Sequence, residues 1–429
     1  MNIHYNNIKK EQQNNPAFLP FLCFIVAIPV SKGLINVALG WLVLIAILAY
    51  KKNKISFSFA TFLPVLLYVL MIISYFWSIS KPETLKAIPK EIYFLLLPLV
   101  FLTIKPFTKL QQDTILKYFS YSIILVALFF IIRALIRYSL NPSVDYFFYH
   151  GTDEVDNGLV PKSLNAIYVS MFVFMAYVYF LTQKVKSKTT YVSLVFLMIF
   201  LLLLSSKNIL IITLLLTIIY FLYQLKHLKS LKYIAFLFVF ISVLALWKLD
   251  VVKERFLVEW KTNITDKQLY AENKTTYVSV AKAWNGNNFT ANDYFTGTAF
   301  RILQIRVFKE LYQAEPIFWT GYGLNATEKK IEQQIVKHNI HQGYGTFNFH
   351  NQYIQIFAEL GIFGLLFFVS LNLLNLKNAI KHKNYIHFAF AILMISLFVT
   401  ESVLARQRGV AFFIAFYSFF NIFNTKTNI

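Results

Sequence analysis

Cysteine is almost absent from this chain. Cys23 stands alone among 429 residues, which excludes an intrachain disulfide and a cysteine-based metal site. Glycine and proline are scarce too, 13 and 11, and long alternating apolar/polar segments are missing, so a transmembrane β-barrel does not fit. Charged residues make up only 14% of the chain against 57% apolar, and the mean hydropathy is +0.56. A soluble domain of this length cannot hide that much apolar surface. Acidic residues are the rarer sign, 20 against 41 Lys and Arg, giving a formal charge of +21. In a soluble protein this would suggest nucleic acid. Here the lysines fall in short clusters between apolar runs, as membrane topology signals do, and no nucleic-acid partner is expected. There is no Asp-x-Asp of the nucleotide-sugar type, no Gly-rich phosphate loop and no dinucleotide fingerprint. No cofactor and no metal are expected, and the run Asp153-Glu154-Val155-Asp156 reads as a solvated acidic loop.

What the chain has in quantity is spans. A bilayer crossing takes roughly 20 mainly apolar residues. Runs of that length or nearly so lie at 17–32, 34–50, 57–76, 90–104, 116–137, 162–182, 190–204, 207–223, 231–248, 352–374, 384–400 and 409–424. The pair around Ser205-Ser206-Lys207 is either two spans joined by a tight turn or one kinked helix. The polar stretch Met1 to Pro16 enters the first run without a small-residue cleavage site, predicting a retained span rather than a signal peptide. With a cytoplasmic N-terminus, every inner connection holds three lysines: 51, 52 and 54; 105, 109 and 117; 184, 186 and 188; 226, 229 and 232; 377, 381 and 383. The outer connection 138–161 has none. This bias predicts both termini inside.

The fold class predicted is therefore all-α: a polytopic cytoplasmic (inner) membrane protein of about twelve transmembrane helices, in contact with membrane lipid, with one large extracytoplasmic loop region. Residues 1–248 supply nine spans, 249–351 the loop, and 352–429 the last three. The loop carries twelve Lys/Arg, ten Asp/Glu and three tryptophans, the composition of a small folded region rather than a disordered linker. Ala299 to Leu311 has apolar residues at helical spacing and predicts an amphipathic helix on or near the membrane.

All seven arginines, Arg133, Arg137, Arg255, Arg301, Arg306, Arg406 and Arg408, map to the outer side, while the inner loops use lysine alone. Positive-inside topology is satisfied by either cation, so the separation calls for another reason. A guanidinium binds phosphate through a planar fork that an ammonium lacks. An outer site for a phosphorylated or diphosphate substrate is the sharper reading; pairing with outer carboxylates such as Glu401, or with lipid headgroups, is the plainer one. Arg301 and Arg306, five apart, point in different directions on a helix, so only one is expected at a shared phosphate.

The tenth span opens with His350-Asn351. Asn351, Gln355 and Glu359 are spaced by four, a polar stripe that should look into the protein or a wet cavity. An imidazole at its mouth can take a proton from an attacking hydroxyl; otherwise it is a capping or interfacial residue.

The string His350-Asn351, followed by Glu359-Leu360-Gly361 and Gly364, resembles the signature of the bacterial O-antigen ligase and O-antigen polymerase family. Upstream, Arg301, Pro316 and Gly321-x-Gly323 resemble the family's loop pattern. Weaker matches are Trp77-Ser78 and Glu401 with Arg406 and Gly409. The Ser206-Lys207 turn resembles a Ser-Arg pair of the family, with Lys in place of Arg. The resemblance implies transfer of a glycan from an undecaprenyl-diphosphate carrier to an acceptor, lipid A-core or another glycan, at the outer face of the membrane. It implies His350 as catalytic base and Arg301 as diphosphate ligand, with Arg406, Lys207 and then Arg306 as further candidates, and Asn351, Glu359 and Glu401 in support. A polymerase extending the chain on its carrier shares this chemistry. A lipid-phosphate flippase or transporter is the alternative of another class, but it would want charged groups through the depth of the bundle, where the spans carry almost none beyond Glu359.

Overall fold

The computed structural model describes residues 10–50, 59–150, 156–224, 257, 260–263 and 276–424. Helices α1 (Phe18–Ala27) and α2 (Lys32–Ala49) pack together. Next come α3 (Phe59–Ile73), which continues as a 3-10 turn to Phe76, the short α4 (Lys81–Ala87), α5 (Tyr93–Thr103) and the long α6 (Lys109–Leu140). The helices α7 (Ala166–Thr182), α8 (Lys188–Leu204) and α9 (Lys207–Gln224) follow. The polar segment contributes β1 (Thr276–Val278), α10 (Val280–Asn285), β2 (Asp293–Phe295), α11 (Gly297–Ala314) and α12 (Glu328–Lys337). Then come α13 (Gln352–Lys381), α14 (Tyr385–Thr400) and α15 (Gln407–Asn424).

Eleven of the twelve apolar runs coincide with a helix, and the ninth, 231–248, lies outside the described residues. Four helices, Lys32–Ala49, Phe59–Phe76, Lys109–Leu140 and Gln352–Lys381, are long and apolar enough to cross a membrane, and shorter apolar helices pack among them. The chain is an all-α polytopic membrane protein. Burial sorts the helices. A helix without a polar face belongs inside a bundle, and α7 and α15 are buried on nearly every face. The α15 rings Phe412, Phe416 and Phe420 pack against Phe390 of α14. By contrast α2 leaves Val37, Leu44, Ile47 and Leu48 exposed, the apolar exposure of a lipid-facing helix. At Ser205 the turn reading holds: α8 ends there in a left-handed conformation, φ 52°, and α9 packs on α14 and α7.

The polar segment has a core of its own. Strands β1 and β2 pair in parallel, Thr276 opposite Asp293 through Val278 opposite Phe295. Beneath them Leu303, Val307 and Leu311 of α11 pack with Ile331 and Ile335 of α12. The expected amphipathic helix is present as α11, but its apolar face is covered by this core and is not free for a lipid surface. The periodicity was that of a helix in a small globular layer.

The tenth span departs from expectation in one respect. Gly361, at φ 66° and ψ −161°, breaks α13 into two helical pieces. The loop after α11 fills the break. Tyr322 N–H donates to Ala358 O and Gly323 N–H to Glu359 O, while Ile362 N–H donates to Phe318 O, each at 2.8 Å. Backbone groups freed inside a membrane protein need such partners. No side chain fits at the crossing: a Cβ on Gly361 would lie 2.3 Å from Trp319 O, and one on Gly321 (φ 67°) 2.4 Å from Glu359 C. The same loop is tied to the turn after α3 and to α4, through Trp77 Nε1 to Thr320 O at 2.8 Å, Ile79 N–H to Tyr322 O at 3.0 Å and Thr84 Oγ1 to Leu324 O at 2.7 Å. Trp77-Ser78, Gly321-x-Gly323 and Glu359-Leu360-Gly361, scattered in sequence, form one knot.

Candidate active site

The knot sets the start of α13, and with it His350. Side chains fix the backbone at and around this histidine. Asn348 Oδ1 accepts from His350 N–H at 3.0 Å, Asn351 Oδ1 caps α13 by accepting from Ile354 N–H at 3.1 Å, and Gln355 Oε1 accepts from Phe349 N–H at 3.2 Å. His350 itself sits at φ 47°, a left-handed conformation that a non-glycine residue keeps only when its surroundings impose it. Its ring lies against Phe300 and Phe347, with centroids 5.3 and 5.7 Å away.

From this position His350 Nδ1 lies 3.0 Å from Glu401 Oε2, and Glu401 Oε1 lies 2.8 Å from Arg301 Nη2. Residues 301, 350 and 401 thus meet around one carboxylate. Burial pushes the Glu401 carboxyl up, but the His350 ring and the Arg301 guanidinium outweigh it and hold the group below the ordinary carboxylate range. An ionised carboxylate accepts only. In the neutral ring the proton of that bond sits on Nδ1 and the lone pair on Nε2, which has no hydrogen-bond partner among the described residues. A base needs this tautomer.

Arg301 is positioned by two backbone carbonyls, Nε to Thr400 O at 2.6 Å and Nη1 to Gly297 O at 2.9 Å. With the bond to Glu401, three of its five N–H donors are engaged, which leaves two among the described contacts. The geometry shows the plainer reading of Arg301, a partner for Glu401. Thr400 also receives Asn208, whose Nδ2 donates to Thr400 Oγ1 at 2.7 Å and to Ser396 O at 3.0 Å. The Ser206-Lys207 turn is thereby docked on the end of α14, one residue from Glu401. Arg406 lies on the same 401–409 turn. It donates to Lys162 O and Ser163 O, both at 3.3 Å, and its guanidinium lies 5.6 Å from the Tyr168 ring centre. Gly409 keeps the turn tight, since a Cβ there would lie 2.0 Å from Val403 O.

Arg306 is not brought to this group. It points into the polar segment, where it binds Glu310 at 2.8 Å and the Gly286 carbonyl at 2.5 Å, and His338 Nε2 closes on the other Glu310 oxygen at 2.7 Å. Arg133 and Arg137 bind the loop around Asp156, and Arg408 donates to Val30 O. Arg255, Asp153 and Glu154 lie outside the described residues. The polar stripe does face the interior: Gln355 Nε2 donates to Glu359 at 2.6 Å and to Thr327 Oγ1 at 3.1 Å, binding α13 to the segment before α12. Among the described residues no three His, Cys, Asp or Glu side chains are grouped to hold a metal ion.

Sequence reasoning left two participants unread. Thr400 and Asn208 have no motif of their own, and only their neighbours at 401 and 207 marked the region.

No curated protein matches the chain. A family model described as O-Antigen ligase matches residues 172–369, a span that includes Lys207, Arg301 and His350 and stops short of Glu401 and Arg406. Members of that family are glycosyltransferase-like membrane enzymes. This match, together with the His350 segment and the knot that positions it, places residues 172–369 in the O-antigen ligase family.

Proposed function

We propose that this protein moves a glycan from undecaprenyl diphosphate to an acceptor hydroxyl, with lipid A-core as the first candidate, at the outer face of the cytoplasmic (inner) membrane. Both termini lie inside and the polar segment outside. The observation that carries the reading is the carboxylate of Glu401 held between His350 and Arg301. His350 Nε2 takes the proton of the acceptor hydroxyl as its oxygen attacks the anomeric carbon of the donor. The bond from that carbon to the diphosphate breaks, and the electron pair leaves on the diphosphate oxygen. Arg301, through its two remaining N–H groups, meets the leaving charge, with Arg406 and Lys207 on adjoining turns as further cations. Fixed cations in a partly dehydrated site stabilise such a leaving group without reorganisation, so the mechanism assigns no role to a metal. Glu401 keeps the imidazole in the right tautomer and shares its charge as it becomes imidazolium.

Elongation of the glycan on its carrier uses the same atoms and is the second reading. The test is to supply purified protein in liposomes with a carrier-linked glycan and a lipid A-core acceptor. Capture by lipid A-core is expected; size ladders on the carrier mean polymerase, and no transfer of either kind refutes the proposal. Thiols engineered into 276–349 should react with an impermeant reagent from outside the cell, and labelling only from the cytosol would reverse the orientation.

A further inference from the structure

A cavity of about 160 Å³ lies between the turn before α5, the start of α12 and the first piece of α13. Its wall includes Lys90, Glu91, Glu328, Asn348, Gln352 and Glu359. One wall is the strand of chain that enters the active site, since Asn348 also holds the His350 backbone. Glu91 is the unexplained group. It is 6% exposed, and its Oε2 has no hydrogen-bond partner among the described residues. A buried polar atom left unpaired is costly, so Glu91 needs a ligand or a role. The other polar groups differ: Glu359 accepts from Gln355, and Gln352 Oε1 accepts from Leu404 N–H at 2.8 Å. Carboxylates, amides and an ammonium on one wall form a mixed set of donors and acceptors, which suits a neutral polyhydroxyl group better than an ion. Lys90 in the same wall weighs against a cation, and so does the absence of any ligand cluster among the described residues.

We propose that this cavity is a subsite for the hydroxyl groups of one sugar ring, with Glu91 as the acceptor that reads them. The inference rests on the glycan transfer proposed above. The volume is well below the roughly 300–1,000 Å³ of pockets for drug-sized ligands and holds part of a glycan, not its length. The ring comes either from the accepting glycan or from the sugar on the carrier.

The test is equilibrium binding, which needs no turnover. Full-length His350→Ala protein in liposomes, with and without Glu91→Leu, is titrated with a lipid A-core glycan and separately with the undecaprenyl-diphosphate-linked glycan. Glu91→Leu should weaken one of the two by about ten- to a hundredfold, and the isosteric Glu91→Gln, which keeps one acceptor oxygen, should fall between. Weakening confined to lipid A-core places the accepting sugar in the cavity; weakening confined to the carrier-linked glycan places the donor sugar there. Both affinities unchanged in Glu91→Leu, or in Glu91→Gln and Glu91→Asp where the leucine variant does not fold, overturns the subsite. Absence of transfer by the wild-type protein, with binding and its dependence on Glu91 intact, would refute the reaction and leave the subsite standing.

Discussion

Helix α11 carries two Arg–Glu–His clusters, one on each of two faces, and they do different work. Arg301, Glu401 and His350 come from three remote parts of the chain, and their side chains are 31%, 13% and 23% exposed. Arg306, Glu310 and His338 lie within one small core, and the histidine is 9% exposed. In the second cluster the guanidinium is held by Glu310 and by the carbonyls of Ala283 and Gly286 at the end of α10. Both clusters make three guanidinium bonds and one imidazole bond, but Arg301 is 31% exposed against 10% for Arg306. Identical residue types thus build a more accessible group that joins remote segments and a buried clasp within one core. Burial separates the two, and it is not written in residue type.

Removing the shared carboxylate gives the largest contrast. Glu401→Ala frees both Arg301 and His350 and should lower transfer by about 10³-fold, within the range seen for loss of acid–base function, while Glu310→Ala should leave transfer within about threefold and lower the melting temperature. Rates and melting curves on both purified variants check this, and equal losses of transfer would dissolve the distinction. Next in size is the knot that delivers His350. Gly361→Ala places a side chain against Trp319 O at a left-handed backbone position, which should destabilise by about 1–3 kcal/mol from backbone strain alone, with a further loss from the clash. Thermal unfolding of that variant beside Gly40→Ala, where nothing lies within 4 Å of the added Cβ, measures the effect. Arg301→Lys comes third: it keeps the charge but loses the fork and should slow transfer about ten- to a hundredfold, whereas Arg306→Lys should not slow it beyond about threefold. The smallest effect is on pH. Burial raises the Glu310 carboxyl, but the His338 ring and Arg306 bring it below its ordinary value of 4.5. A carboxyl lowered on folding stabilises above its ordinary value, and that contribution is lost as pH falls through the folded value. Glu310→Gln should therefore flatten the acid end of the stability profile, read from melting temperatures between pH 3 and 6.

The spans were legible because bilayer crossing imposes length and hydropathy on every helix, and eleven described helices fall on apolar runs. His350 was legible because a polar stripe on an apolar helix is conspicuous. The break at Gly361 was not, since a glycine in an apolar run looks the same whether or not another loop enters beside it. The fate of Arg306 was hidden for a similar reason: helical spacing separated it from Arg301 but could not say which of the two faces met Glu401. Glu91 escaped notice at the edge of an apolar run, where only the three-dimensional neighbourhood shows a buried, unpaired oxygen on a residue that lines a cavity.

The central claim, that the Arg301–Glu401–His350 group is the reaction centre, is tested most directly by comparing the two histidines. Purified His350→Ala and His338→Ala proteins are given carrier-linked glycan and acceptor under single-turnover conditions. The account predicts no transfer by His350→Ala at a wild-type melting temperature, and continued transfer by His338→Ala at a lower one. Transfer at the wild-type rate by His350→Ala would contradict it.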